Sequence, residues 1–137
     1  MDRPATVEAW HEVVRTRDHA RLDAVLADDV VFRSPAVHTP QEGRATTTAY
    51  LRAALVVLGP GLTYHREWYL TDGAVLEFTT SLAGADGREV EVHGVDVLRW
   101  DADGRITDFT VMVRPLKALG TLVEHMGAEL QRAAGQG

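Results

Sequence analysis

The stretch VEVHGVDVLRW, residues 90–100, decides how the second half of the chain folds. Apolar or small residues alternate with other residues along it, which is the two-residue period of a β-strand with one buried face. One acidic residue, Asp96, falls in phase with the apolar positions. The pattern therefore predicts a strand whose buried face carries a single carboxyl group.

Three Asp-Gly dipeptides divide the surrounding region into segments of similar length. They are residues 72–73, 86–87 and 103–104. Because Asp-Gly is typical of tight hairpin turns, residues 62–114 are predicted to form four strands of an antiparallel meander. Counting residues from the last two turns places Asp96 opposite Val111 and near Leu76. Its predicted neighbours are apolar, and no basic group lies beside it.

The first strand of the meander can face the interior in two ways, depending on the turn that follows it. A two-residue turn directs His65 and Tyr69 inward. A bulged turn instead presents Tyr64, Arg66 and Trp68, because a shift of one residue reverses the faces of a strand. The sequence leaves both possibilities open.

The N-terminal half of the chain has the periodicity of helices. Pro4 suits the first turn of one helix, and Asp18 suits the N-cap of a second, short helix. A short strand, DDVVFRSP, follows and stops at Pro35. Residues 44–58 predict a third helix, which ends at the Gly-Pro-Gly sequence of residues 59–61.

The region after the last strand predicts a C-terminal helix that is interrupted or bent near Gly120 and Gly127. Helices that come before a bent antiparallel sheet are typical of an α+β fold with the helices on one face. Three helices on such a sheet form a cone with a cavity at its wide end, and such cavities are common ligand sites. We expect one domain spanning residues 1–137.

The composition excludes several classes of function. The 137 residues carry a formal net charge of −6, which argues against binding nucleic acid or an anionic membrane. There is no cysteine, so disulfides, thiolate zinc sites and thiol nucleophiles are excluded. The sequence shows no apolar signal core and no apolar run long enough to span a membrane, so we expect a cytoplasmic protein. The predominance of Ala, Val, Asp and Arg indicates a bacterial gene.

The order of elements and two sequence motifs carry a family resemblance. The chain begins with two predicted helices and the stretch ADDVVF, and then has a loop, a glycine and a third helix. The motif GVDVLRWDADGRI comes later. This layout resembles the nuclear transport factor 2-like (NTF2-like, cystatin-like) superfamily, especially its SnoaL-like polyketide cyclases and ketosteroid isomerases. The resemblance covers about residues 5–115 and implies a cone-shaped fold with a curved antiparallel sheet, three N-terminal helices and a C-terminal helix.

The resemblance also assigns positions to catalytic residues. Asp96 falls on the protonated oxyanion-hole Asp of ketosteroid isomerases, Trp10 on their tyrosine and Ser34 on their general base. Only the first matches, so authentic ketosteroid isomerase activity is not expected. By the same resemblance, the catalytic Asp, Arg and Asp of the related epoxide hydrolases are replaced here by Phe78, Thr80 and Val111. That mechanism is therefore not expected.

We therefore predict a SnoaL-like protein that binds a small hydrophobic molecule with one or two oxygens. Asp96 is the predicted catalytic residue, since burial in an apolar wall raises the pKa of a carboxyl group and lets it donate a proton. The other predicted pocket residues are Trp10, Phe32, Ser34, His38, His65, Phe78, Thr80, Leu98, Phe109, Val111 and Val113. An enzyme of this kind would be a cofactor-independent isomerase, cyclase or dehydratase. The alternatives are a non-catalytic ligand-binding protein and a protein-interaction module.

Metal and cofactor sites are not expected. The six histidines form no pair with metal-binding spacing. His38 is predicted to edge the cavity mouth, and His65 faces inward if the two-residue turn forms; either could then be a second acid/base group. On the opposite sheet face, Val95, Val97 and Met112 with Thr110 form an apolar set. Together with the resemblance, this set predicts a homodimer.

Overall fold

The computed structural model describes residues 2–135. The helices are α1 Ala5–Thr16, α2 His19–Val25, α3 Arg44–Leu58 and α4 Leu116–Gly135. The strands are β1 Leu26–Arg33, β2 Gln41–Glu42, β3 Thr63–Tyr69, β4 Gly73–Ala83, β5 Glu89–Trp100 and β6 Ile106–Arg114. A single 3₁₀ turn, Gly59–Gly61, follows α3, as expected where the Gly-Pro-Gly sequence ends the helix.

Six strands form one sheet in the order β2-β1-β6-β5-β4-β3. β3 to β6 pair antiparallel with their neighbours in the chain, which confirms the predicted meander. β1 pairs parallel with β6 and carries the two-residue β2 on its outer edge. The sequence did not predict this parallel pair, because the pattern within one strand does not identify a partner far away in the chain.

The register of β5 agrees with the count from the turns. Asp96 pairs with Leu76 on β4 and with Val111 on β6, and Leu98 pairs with Phe109. Asp96 is 5% exposed. The prediction of one carboxyl group on the buried face of β5 is therefore confirmed.

β3 contains a bulge, and neither of the two predicted faces describes it completely. Tyr64 pairs with Phe78, and the register then shifts before Glu67 pairs with Leu76. The extra residue reverses the alternation. Tyr64 faces inward on one side of the bulge, as in one prediction, and Tyr69 lies on the inner side after it, as in the other.

The N-terminal helices begin close to the predicted positions. Pro4 is the residue before α1, which buries Val7, Trp10 and Val13 on one face. The side chain of Asp18 accepts hydrogen bonds from two backbone N–H groups at the start of α2, which confirms it as an N-cap.

The predicted interruption of α4 is wrong, because the helix is continuous from Leu116 to Gly135. Gly120 and Gly127 adopt helical geometry, with no neighbouring atom within 4 Å of either Cβ position. A glycine weakens a helix by only about 1 kcal/mol, and α4 buries its own residues Ala118 and Leu122 against the domain. Packing on the rest of the domain therefore outweighs the local preference.

The helices and sheet enclose two apolar clusters. The larger joins α1, α2, α3 and β1 to the inner face of the sheet and includes Trp10 and Phe109. The smaller lies under α4 and includes Phe78 and Leu122. Tyr64 and Val111 pack against both clusters, which places them at the boundary. This is the expected α+β arrangement, with all the helices packed on a single sheet.

Candidate functional site

A cavity of about 230 Å³ lies where the two clusters meet. Its wall combines side chains from α1, α3, α4 and the sheet. Six aromatic residues line it: Trp10, Phe32, Tyr50, Tyr64, Phe78 and Phe109. Among the described residues, Asp96 is the only acidic or basic residue in the wall. Val37, after β1, and Val123, on α4, also line the cavity and are each 45% exposed, so its mouth is apolar.

The carboxyl group of Asp96 has one hydrogen-bond partner in residues 2–135. The Tyr64 hydroxyl donates to Asp96 Oδ2 at 2.5 Å, and Trp10 Nε1–H donates to the Tyr64 hydroxyl oxygen at 2.9 Å. The three residues come from β5, β3 and α1, so tertiary packing alone brings them together. No part of the described chain bonds to Asp96 Oδ1, although Asp96 belongs to the cavity wall. That oxygen is therefore available to a ligand.

Burial raises the pKa of Asp96 from 3.8 to about 7, and the hydrogen bond from Tyr64 opposes part of that effect. The charged carboxylate loses hydration here and gains only one donor in return. Burial, followed by the negative charge and hydrogen bonding of Asp96, raises the pKa of Tyr64 well above its ordinary value of 10.0. Tyr64 therefore remains a neutral donor near pH 7, where Asp96 exists in both protonation states.

A second polar cluster adjoins Tyr64 beyond the bulge. His11 Nε2 lies 2.6 Å from Glu67 Oε2, and the Tyr69 hydroxyl donates to Glu67 Oε1 at 2.5 Å. The His11 ring meets the Tyr64 ring edge-on at a centroid distance of 4.7 Å. This cluster therefore supports the ring of Tyr64 from the side of α1.

The outer face of the sheet carries a different acid, Glu77. Arg66 donates to both of its carboxylate oxygens at 2.8 and 2.7 Å, and His93 Nε2 lies 2.8 Å from one of them. These hydrogen bonds hold the pKa of Glu77 well below its usual range. The sheet thus separates an ionised carboxylate outside from a carboxyl group inside whose pKa is near 7.

Residues 7–109 match the SnoaL-like domain family. The chain belongs to the SnoaL-like family. The match confirms the resemblance drawn from the order of elements and the GVDVLRWDADGRI motif. Among curated proteins, no relative matches the sequence.

Solved structures share the fold of this SnoaL-like chain. A crystal structure described as a steroid delta-isomerase from Pseudomonas aeruginosa has 37% identity and a TM-score of 0.86, covering 96% of this chain and 93% of that one. An uncharacterised bacterial protein with a cystatin-like fold from Silicibacter pomeroyi has 30% identity and a TM-score of 0.81, covering 90% and 84%. A putative SnoaL-like polyketide cyclase from Shewanella denitrificans shares the fold alone, with 16% identity, a TM-score of 0.66, and 89% and 99% coverage.

Seven of the predicted site residues lie together on the cavity wall of the SnoaL-like chain. They are Trp10, Phe32, Ser34, Phe78, Asp96, Phe109 and Val111. Ser34 Oγ accepts a hydrogen bond from Ala36 N–H at 3.1 Å, as expected for a residue that stabilises a turn.

Two predicted polar residues lie at the surface instead of in this cavity. His65 is exposed and bonds Thr79 Oγ1 on the outer face at 2.7 Å, because the bulge in β3 turns it away from the interior. His38 is also exposed and lies in a separate shallow depression formed by residues 33–38. The prediction that His38 and His65 line the pocket is therefore wrong.

Three predicted wall residues are part of the packed interior and do not line the cavity. Thr80 is buried and donates to the carbonyl oxygen of Leu58 at 3.1 Å. Leu98 is buried in the larger cluster, and Val113 packs against the smaller one. Each has the inward parity that the sequence predicted, but it packs against neighbouring residues instead of lining the cavity.

The predicted site did not include Tyr64 or the side chains contributed by α3 and α4. Tyr64 appeared only as one of two possible faces of β3, and the bulge that selects it has no distinct sequence signal. The α4 contribution consists of Leu122, Val123, Met126, Gly127 and Leu130. The spacing of these residues marks an apolar helix face, but it does not show what that face covers.

Neither a metal site nor a membrane-spanning helix is found in residues 2–135. No group of three or more His, Asp and Glu side chains there is placed to hold a metal ion. None of the helices in that range has the length and hydrophobicity needed to cross a bilayer.

Proposed function

We propose that this SnoaL-like chain binds a small hydrophobic molecule with one or two oxygens and exchanges a proton with it through Asp96. The observation that carries the proposal is one carboxyl group, with a pKa near 7, in an otherwise uncharged cavity wall. The expected chemistry is cofactor-independent isomerisation, cyclisation or dehydration. We also propose that residues 1–137 act as one domain in the cytoplasm. The bacterial origin of the protein stays a prediction.

The position of Asp96 supports both directions of proton transfer. A general acid or base works best when its pKa is close to the working pH, because both forms are then populated. The neutral form can donate from Oδ1 to a ligand oxygen, while the ionised form can accept a proton there. Tyr64 bonds the other oxygen in either case.

Relatedness to the Pseudomonas aeruginosa protein described as a steroid delta-isomerase favours isomerase-type chemistry. Ser34, however, stands at the position that the family resemblance gives to the general base, and its hydroxyl oxygen already bonds the Ala36 N–H. A serine without an adjacent base is a poor proton acceptor. We therefore assign the proton transfer to Asp96 alone and a substrate other than that of the steroid isomerases.

A proton-exchange assay tests the proposal without knowledge of the natural substrate. Cyclic and unsaturated ketones in deuterated buffer would be followed by NMR for enzyme-dependent deuterium incorporation next to the carbonyl group. Asp96→Asn is expected to reduce the exchange rate by at least a factor of about 100, since it removes the one carboxyl group in the described part of the cavity wall. Ser34→Ala is the matched control and should keep the rate within a few-fold. Undiminished exchange by Asp96→Asn would refute the role of Asp96.

Non-catalytic ligand binding is a second candidate function. It is favoured by the absence of a second acidic or basic residue from the described cavity wall. In that case a ketone would bind, as measured by calorimetry, without deuterium exchange in either the parent protein or Asp96→Asn. A pure protein-interaction role is instead favoured if no small apolar ligand binds at all.

We also propose that the chain forms a homodimer through the outer sheet face. Val95 and Met112 are cross-strand neighbours there, and Met112 is 57% exposed. Trp68 on β3 is 51% exposed, and the Arg66 guanidinium lies over its ring at 5.4 Å from the centroid. Because Arg66 already forms an ion pair with Glu77, a second copy can cover this face without burying that carboxylate unpaired.

Sedimentation equilibrium tests the dimer. The parent protein is expected at twice its monomer mass of 15.0 kDa. Met112→Asp should weaken association at least tenfold, because it places a carboxylate in the apolar face. Leu116→Asp is the control, since Leu116 is 84% exposed but lies on α4. A monomeric parent protein, or a Met112→Asp variant that associates normally, would contradict this interface.

A further inference from the structure

Three hydrogen-bonding groups in the cavity wall, from Trp10, Tyr64 and Asp96, form a chain with only one possible direction. The indole N–H of Trp10 can donate but cannot accept. It donates to the Tyr64 hydroxyl oxygen at 2.9 Å, and that hydroxyl lies 2.5 Å from Asp96 Oδ2. Because Trp10 occupies the acceptor side of the hydroxyl, the Tyr64 proton must point toward Asp96.

We propose that Trp10 is a positioning residue that confines the proton of Asp96 to Oδ1, the oxygen available to the cavity. Oδ2 always accepts the hydrogen bond from the Tyr64 hydroxyl. If the proton of neutral Asp96 were bound to Oδ2, it would point at that donor and would find no acceptor. A hydroxyl group in place of the indole could reverse the chain, since hydroxyls both donate and accept. The indole removes that alternative. The catalytic consequence of this arrangement rests on the proposed function, but the arrangement itself does not.

The direction of the chain also specifies the ligand atom that meets Asp96. When Asp96 is neutral, its only donor points into the cavity, so the complementary ligand group is an uncharged acceptor such as a ketone oxygen. When Asp96 is ionised, the same oxygen is a base. An anionic ligand has no basic partner in the described part of the wall. The site therefore favours uncharged ligands that carry a hydrogen-bond acceptor, such as a ketone oxygen.

The surroundings of Asp96 contribute few competing charges. Leu76 and Val111 flank it on the adjacent strands. On the side of α1, the nearest titratable groups are His11 and Glu67. The His11 ring contacts the Tyr64 ring, and His11 is hydrogen-bonded to Glu67. Tyr64 is the only group bonded to Asp96 in residues 2–135, so an effect of Trp10 on the titration of Asp96 has to pass through it.

The test is a titration of the Asp96 carboxyl carbon by ¹³C NMR in ligand-free protein. Trp10→Phe keeps an aromatic ring against Phe109 but deletes the N–H donor. The Tyr64 hydroxyl then donates less strongly and can accept from neutral Asp96, so the Asp96 pKa should rise by about half a pH unit or more. Tyr64→Phe should raise it further, because that variant removes the donor altogether.

The double variant separates this role from simple packing. In the Tyr64→Phe background, Trp10→Phe should produce no further change, since the connecting hydroxyl is absent. An equal shift in both backgrounds would show that Trp10 acts through packing or water access, and the proposal would fail. An unchanged or lowered Asp96 pKa in Trp10→Phe would overturn it as well.

A second measurement begins with the unaltered protein, where no substitution can disturb the fold. The indole N–H resonance of Trp10 should move with the same midpoint as the Asp96 carbon, because protonation of Asp96 weakens its pull on the Tyr64 proton. In Tyr64→Phe the indole resonance should no longer follow Asp96. An indole resonance that ignores the Asp96 titration in the parent protein would refute the chain. Neither measurement needs a substrate, so failure of the proposed enzymatic function would leave both results interpretable.

Discussion

At pH 8, the Asp96→Asn variant is expected to be more stable than the parent protein by about 4 kcal/mol in its free energy of unfolding. At pH 4, the two proteins should have nearly equal stability. The reason is that folding moves the Asp96 carboxyl group from water into an apolar wall, where its pKa is about 7 instead of 3.8. Asparagine has nearly the same shape, remains neutral and can still accept the hydrogen bond from Tyr64.

The sign follows from proton binding. Between pH 4 and pH 7, folded Asp96 holds a proton that the unfolded chain has released, so raising the pH favours unfolding. The stabilising contribution of Asp96 is complete below about pH 4 and is lost as the pH rises through about 7. The difference between the two pKa values, at about 1.4 kcal/mol per pH unit, gives the expected 4 kcal/mol.

Urea denaturation at pH 4, 6 and 8 measures this effect directly. Asp103→Asn is a suitable control, because Asp103 is exposed in the turn between β5 and β6 and its replacement removes the same charge without burial. Its effect on stability should be small and similar at each pH. If the gain from Asp96→Asn is the same at pH 4 and pH 8, the carboxyl group is not held in an apolar environment.

Replacing Gly94 with alanine is expected to lower the free energy of unfolding by about 3 kcal/mol. Gly94 shares the inner face of β5 with Asp96 and lies between Phe78 and Val113 on the adjacent strands. A Cβ atom there would be 2.5 Å from the carbonyl oxygen of Met112 and 2.7 Å from the Phe78 ring. Neither group can move away easily, since one is the backbone of β6 and the other is buried.

Thermal unfolding provides the measurement, and Gly120→Ala provides the matched control. Gly120 lies in α4 with no atom within 4 Å of its Cβ position, so alanine should raise stability by up to about 1 kcal/mol. Gly94→Ala should also displace the Phe78 ring in the cavity wall and change ligand affinity. A Gly94→Ala variant as stable as the parent would show that the sheet is more open at this position than its geometry indicates.

The sequence was most informative where structure depends on short-range order. The alternation in β5, the Asp-Gly turns and the residue counts between them were sufficient to place Asp96 between Leu76 and Val111. They were insufficient for β3, where one extra residue changes the face of every side chain that follows it. They also did not identify Tyr64 as the partner of Asp96, because that contact depends on three-dimensional packing between distant strands.

The wall of the cavity was partly predictable for the same reason. Inward parity selected Phe78 and Phe109, which line it, but also Leu98 and Val113, which pack against neighbours instead. Parity states which side of a sheet a residue faces, whereas lining a cavity also requires that nothing stands in front. The contribution of α4 depends on how a whole helix docks, which its own periodicity does not specify.

The bulge in β3 allows one strand to contribute inward-facing residues to two different sites. Before it, Tyr64 belongs to the cavity, and after it, Glu67 and Tyr69 connect the sheet to α1 through His11. In a regular strand, any change of register would alter both parts together. Here the bulge gives each part its own inward-facing residues, while contacts of Tyr64 with Trp10 and His11 keep both parts joined to α1. A single strand therefore supplies both a donor to the cavity and an anchor for the N-terminal helix.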